Sequence, residues 1–137
     1  MACSVIERSM EAMLLLLFFL NHFTEVAGDV GTAASYDPPY LPTKCPDYSS
    51  LDQLPETGLF VAAGSGVWDN GAACGRKYQV RCLSGLRRPC KDGSIIVEVV
   101  DYCRSSPCPA TFLLSNKAFG AVSRIPNAKI NIEFTEV

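Results

Sequence analysis

The 137-residue chain has one histidine, His22, one tryptophan, Trp68, and no Asn-x-Ser/Thr acceptor for glycosylation. Its one long apolar run, Ala12–Leu20, is far shorter than the about 20 residues a membrane-crossing helix needs. It also lacks paired C-x-x-C knuckles and internal repeats. Each absence excludes something. The apolar run follows Arg8 and precedes a polar stretch ending in small residues, the layout of a secretory signal. We expect residues 1–28 to be removed. Cleavage after Gly28 is favoured over Ala27, because Val26 and Gly28 then fill the two small-residue positions. His22 leaves with this segment, so no histidine remains for Ser-His or Cys-His nucleophiles or for most zinc sites. No metal and no cofactor is expected.

Charge of one sign is also missing. Residues 29–137 carry 11 Lys+Arg against 11 Asp+Glu. That balance argues against a nucleic-acid binder and against a polybasic membrane patch. The segment is one domain long. Six cysteines remain in it: Cys45, Cys74, Cys82, Cys90, Cys103 and Cys108. In a small secreted chain they read as three disulfides, although six cysteines allow many connectivities. We take sequential pairing, Cys45–Cys74, Cys82–Cys90 and Cys103–Cys108. The two short loops would each close a turn, and the long one would tie an N-terminal segment to the body.

Apolar residues recur mostly with period two, so the fold is expected to be mainly β. In AKINIEFTEV, Ile130, Ile132 and Phe134 face one way; in KYQVRCL, Tyr78, Val80 and Cys82 do. SIIVEVVD, 94–101, is apolar on both faces except at Glu98, as in a strand covered on both sides. GTAASYD and GLFVAAG suggest shorter strands. SNKAFGAVSR, 115–124, is the one expected helix, capped by Ser115, with Ala118, Phe119 and Val122 on one face. DNGAACG and KDGS carry turn signals. The four prolines of DPPYLPTKCPDYSS, 37–50, indicate an extended loop pinned by Cys45. A closed six-stranded barrel with one short helix fits these pieces, since no strand shows edge protection.

The blocks SYDPPY, VWDNGAACGRKYQVRC and VVDYC…CPATFLLSNKAF resemble the plant natriuretic peptides, small secreted proteins with a family-45 endoglucanase-like domain related to expansins. The likeness runs from about Gly31 to Val137. It implies a double-psi β-barrel, residues 29–137, and the sequential disulfide pairing. It also implies an extracellular, apoplastic signal affecting water and solute balance. Expansins add a second domain after the barrel. This chain stops at Val137, so a full expansin is not expected.

Glycosidases need two carboxyl groups flanking the bond. In the resembled hydrolases the acid belongs to a His-Phe-Asp block before the helix, which here aligns with Thr111, Phe112 and Leu113. Their base follows a tyrosine by two residues, which from Tyr36 is Pro38. Both positions lack a carboxylate. Asp37 is adjacent, but alternation along a strand would turn it to the other face. Asp101 resembles the acid of bacterial lytic transglycosylases, where intramolecular attack replaces activated water. Its alternative role is as an acceptor of backbone N–H groups at the Cys103–Cys108 turn, and we take that one.

Trp68 can stack on a sugar or anchor the core, the commoner use. Tyr36 and Tyr40, as exposed aromatics beside prolines, suit a low-entropy contact surface. Arg76, Lys77, Arg81, Arg87 and Arg88 suggest a solvated face rather than a site for acidic pectin. The candidate binding residues are therefore Tyr36, Asp37, Tyr40, Trp68 and Asp101. The expected protein is a secreted, non-catalytic monomer that engages a cell-surface receptor. The alternative is a wall-modifying protein that binds cell-wall polysaccharide, and a barwin-like defence module ranks third.

Overall fold

A computed structural model describes Met13 and residues 28–137. The expected secretory signal thus lies almost wholly outside the described residues, among which no helix is long and apolar enough to cross a membrane. The strands are β1 (Asp29–Tyr36), β2 (Phe60–Ala63), β3 (Lys77–Gly85), β4 (Ile95–Tyr102), β5 (Phe112–Ser115) and β6 (Ile130–Glu136). The helices are α1 (Ser65–Trp68) and α2 (Asn116–Val122). The strands close into a barrel in the order β1-β5-β2-β4-β3-β6. Two pairs, β1 with β5 and β2 with β4, are parallel, and the other four are antiparallel.

Strands with one wet face formed where alternation indicated them. Tyr78, Val80 and Cys82 of β3, and Ile130, Ile132 and Phe134 of β6, are buried. Tyr78, Phe112 and Phe134 meet inside the barrel with ring centroids 5.1–5.9 Å apart. β4 departs from expectation at its start, where Ile96 is 49% exposed. It pairs there with the solvent-facing Gln79 of β3, so only Val97–Asp101 runs through covered structure. Four-residue β5 had no strand signal of its own. Phe112, Leu114 and Ser115 are buried and Leu113 is half-buried, so no polar residue marks an outer face.

Ser115 caps α2 as expected, its hydroxyl accepting from the Ala118 N–H (3.1 Å) and donating to the Gly58 carbonyl (2.6 Å). Ala118, Phe119 and Val122 are the residues α2 buries. It is not the only helix. The Asn-Gly signal at 70–71 belongs to a helical turn that continues α1, with Asp69 and Asn70 at φ of 52° and 51°. Such left-handed residues can end a helix as readily as they build a hairpin. Gly64, just before α1, lies so close to β5 that a Cβ would stand 2.6 Å from the Ala110 carbonyl oxygen. The disulfides are Cys45–Cys74, Cys82–Cys90 and Cys103–Cys108, with Cα–Cα separations of 5.6, 5.3 and 6.0 Å.

Phe112 is fully buried at the centre of the aromatic cluster. Phe112→Ala is expected to lower stability by about 3–5 kcal/mol, read from denaturant midpoints with the disulfides intact.

Candidate binding cleft

Asp101 ends the covered part of β4. Its nearest neighbour across the parallel pair is Ala62 of β2, and Ala62 in turn pairs with Leu113 of β5. The small Ala62 side chain leaves a cleft of about 220 Å³, bordered by Tyr36, Asp37, Asp101, Arg104 and Leu113. The residue aligned with a hydrolase's acid therefore borders the same cleft as Asp101, and that residue is leucine.

The Asp101 side chain is 1% exposed as a residue, yet its oxygens have distinct surroundings. Oδ1 accepts from the backbone N–H groups of Lys44 and Tyr102, each at 2.8 Å. Oδ2 lies 3.7 Å from Nη2 of Arg104, whose guanidinium also donates to the Pro42 carbonyl (2.6 Å). Asp101 does accept backbone N–H bonds, but not from the Cys103–Cys108 turn. The distant donor is in the proline-rich loop, which Cys45–Cys74 and the Thr43 hydroxyl bonds to the Cys45 and Tyr48 carbonyls hold in place.

Tyr36 and Tyr40 are not the exposed pair the prolines suggested. Both are half-buried, because the loop folds them onto Phe60 and each other, with Tyr36–Tyr40 and Tyr40–Phe60 centroids 4.9 and 4.8 Å apart. The Tyr40 hydroxyl donates to the Tyr36 carbonyl (3.2 Å) and accepts from the Asn116 N–H (3.1 Å). The Tyr36 hydroxyl is buried and has no hydrogen-bond partner among the described residues. Burial, reinforced by the Asp101 carboxylate and Tyr40 and opposed by Arg104, holds its phenol well above its ordinary value.

Asp37 is also placed differently from expectation. β1 ends at Tyr36, so strand alternation no longer applies, and Asp37 borders the cleft from its rim. Its carboxylate accepts from Asn116 Nδ2 at 2.9 Å. Trp68 is half-buried against the core and stacks obliquely on Tyr102 (4.7 Å), outside the residues bordering this cleft. Arg76, Lys77 and Arg81 are ion-paired with Asp69 and Glu136, Glu98, and Glu133 respectively. No group of three or more His, Cys, Asp or Glu among the described residues is arranged to hold a metal. Chemically, the cleft offers one deeply buried carboxylate, a second at its rim, an unpartnered phenol and a guanidinium. Arg104 and Asn116 were not singled out from the sequence; the Arg104 bond to Pro42 spans 62 residues and the Asn116 bond to Asp37 spans 79, while Arg104 lies only three residues from Asp101.

Residues 61–134 match a family model described as lytic transglycolase. An EG45-like domain containing protein of Citrus jambhiri is 38% identical over 111 residues, covering 77% of this chain and 79% of that protein. EG45-like domain containing protein 2 of Arabidopsis thaliana is 30% identical over 137 residues, covering 97% and 100%. Among solved structures, a variant of the Clavibacter michiganensis expansin in complex with cellohexaose superposes with a TM-score of 0.60 at 26% identity. That match covers 82% of this chain and half of the expansin chain, and with it the barrel is of the double-psi type.

Asp101→Ala strips two backbone donors of their acceptor, at about 1–3 kcal/mol each if they stay buried. A loss of about 2–4 kcal/mol is expected, against about 1 kcal/mol or less for Asp101→Asn, which keeps an oxygen at Oδ1; chemical denaturation checks both. Beside the loop, burial and then the hydrogen bond to Glu98 (2.8 Å) push the Tyr48 phenol from 10.0 up to about 12. The stability this contributes is fully present below about pH 10 and is lost as pH rises through about 12. Tyr48→Phe should flatten that alkaline decline, measured as denaturation midpoint against pH.

Proposed function

The chain belongs to the EG45-like domain proteins, a family related to expansins, and on that premise we propose a secreted, non-catalytic signalling protein that binds a cell-surface partner. Its action is on water and solute balance. The observation that carries the non-catalytic reading is Leu113, which borders the Asp101 cleft and is the residue that the resemblance aligns with a hydrolase's proton-donating acid. Leucine can neither donate nor accept a proton. Asp37 at the rim supplies a carboxylate, but it is exposed and engaged by Asn116. Secretion rests on the leader pattern in residues 1–28.

A second reading has its own observation. The Tyr36 hydroxyl is a buried donor without a partner in the cleft wall, and a saccharide hydroxyl would satisfy it. The related bacterial expansin takes cellohexaose. In this reading the cleft binds wall polysaccharide without cleaving it.

Protoplasts have no wall and so separate the two. The disulfide-bonded protein is expected to change protoplast volume, Asp101→Asn is expected to do the same, and neither should release reducing ends from cellulose, xyloglucan or pectin. Volume unchanged by wild type would move the function to the wall. Asp101-dependent cleavage of any of these polymers would overturn the non-catalytic reading.

A further inference from the structure

Asp37 borders a second cleft on its other side, of about 470 Å³, between α2 and residues 123–127. This volume lies within the range of about 300–1,000 Å³ typical of small-ligand sites. Its apolar wall includes Phe119, a core residue only 2% exposed, and Asn116 and Asn127 contribute amides. Lys91 and Arg124 supply its cations.

Seven of the Lys and Arg in residues 29–137 are in no salt bridge, and of these only Lys91 and Arg124 have a side-chain hydrogen bond among the described residues. Arg76, Lys77, Arg81 and Arg104 all have acidic partners, whereas neither Lys91 nor Arg124 is in a salt bridge among the described residues. Each is nonetheless fixed in place through a backbone carbonyl. Lys91 Nζ donates to the Gly120 carbonyl (2.6 Å), and Arg124 Nη2 donates to that of Arg88 (2.7 Å). Both heads retain further N–H donors. Asn127, in the same wall, holds a left-handed backbone (φ 59°), and residues in sparse backbone regions cluster at ligand clamps. The only carboxylate bordering the cleft is Asp37, already engaged by Asn116.

We propose that this second cleft is a subsite for a carboxylate-bearing sugar unit, so that the saccharide this protein binds is a polyuronate rather than a neutral glucan. The two amides and Asp37 provide hydroxyl partners, and Lys91 with Arg124 receives the carboxylate. Asp37 borders both clefts, so a chain seated here continues directly towards Tyr36 and Asp101. The inference deepens the polysaccharide-binding reading and rests on it.

The test is titration of the secreted, disulfide-bonded protein with an oligogalacturonate, its fully methyl-esterified counterpart and cellohexaose. The carboxylated chain is expected to bind about tenfold more tightly than its ester, with the preference shrinking as salt is raised. Lys91→Gln combined with Arg124→Gln should abolish the preference, bringing the affinity for the oligogalacturonate down to that for its ester. Lys91→Gln alone, which removes one hydrogen bond to Gly120, should reduce it if the double variant folds poorly. Equal binding of acid and ester, or a preference that survives both variants, overturns the subsite and leaves the polysaccharide reading standing. No binding to any of the three overturns both.

Discussion

The buried carboxylate of Asp101 is the constraint on which the cleft depends. A charge removed from water is costly unless hydrogen bonds and an opposite charge compensate it. Here the compensation comes from two backbone N–H groups at 2.8 Å and the Arg104 guanidinium at 3.7 Å. One N–H belongs to Lys44, in a loop far away in sequence, and Arg104 binds the same loop at Pro42. Satisfying one side chain therefore fastens the proline-rich segment over the end of β4. That segment carries Tyr40, and Tyr40 in turn is packed against Tyr36 and Phe60. The wall of the cleft and the neutralisation of its acid are one interaction network.

The network divides the work of Asp101 between its oxygens. Oδ1 is committed to the backbone, so any ligand chemistry falls to Oδ2 and its guanidinium neighbour. A general acid works by losing and regaining a proton at the atom that meets the leaving group. Leu113, on the far side of Ala62, adds no second titrating group.

Legibility in the sequence followed solvent. β3 and β6 each keep a wet face, so their alternation was visible and their inward residues were identified. β5 lies between β1 and β2 with Leu113 facing a cleft instead of bulk water, and nothing in Phe-Leu-Leu-Ser reports a period. The same logic governs the site. Tyr36, Asp101 and Leu113 were reached by family resemblance, and the structure brings them to one cleft. Asp37 was misplaced because strand alternation was carried one residue past the end of β1. Asn116 acts through contacts with residues remote in sequence, and Arg104, although three residues from Asp101, also reaches the distant Pro42 carbonyl, which no local pattern encodes.

Charge placement completes the physical picture. A formal balance of zero in residues 29–137 argued against a nucleic-acid binder and a polybasic patch, yet balance and uniformity are different properties. The cations of β3 and of the segment before it are matched by carboxylates across the sheet or on the adjoining turn. Lys91 of the β3–β4 connection and Arg124 of the turn after α2 meet backbone carbonyls instead. A carbonyl orients a cation without neutralising it. Beside a low-dielectric wall such as that around Phe119, these two cations would pull on an anion more strongly than they would in open water. Selectivity can then arise from where charge is left unmatched, with no excess of charge over the whole molecule.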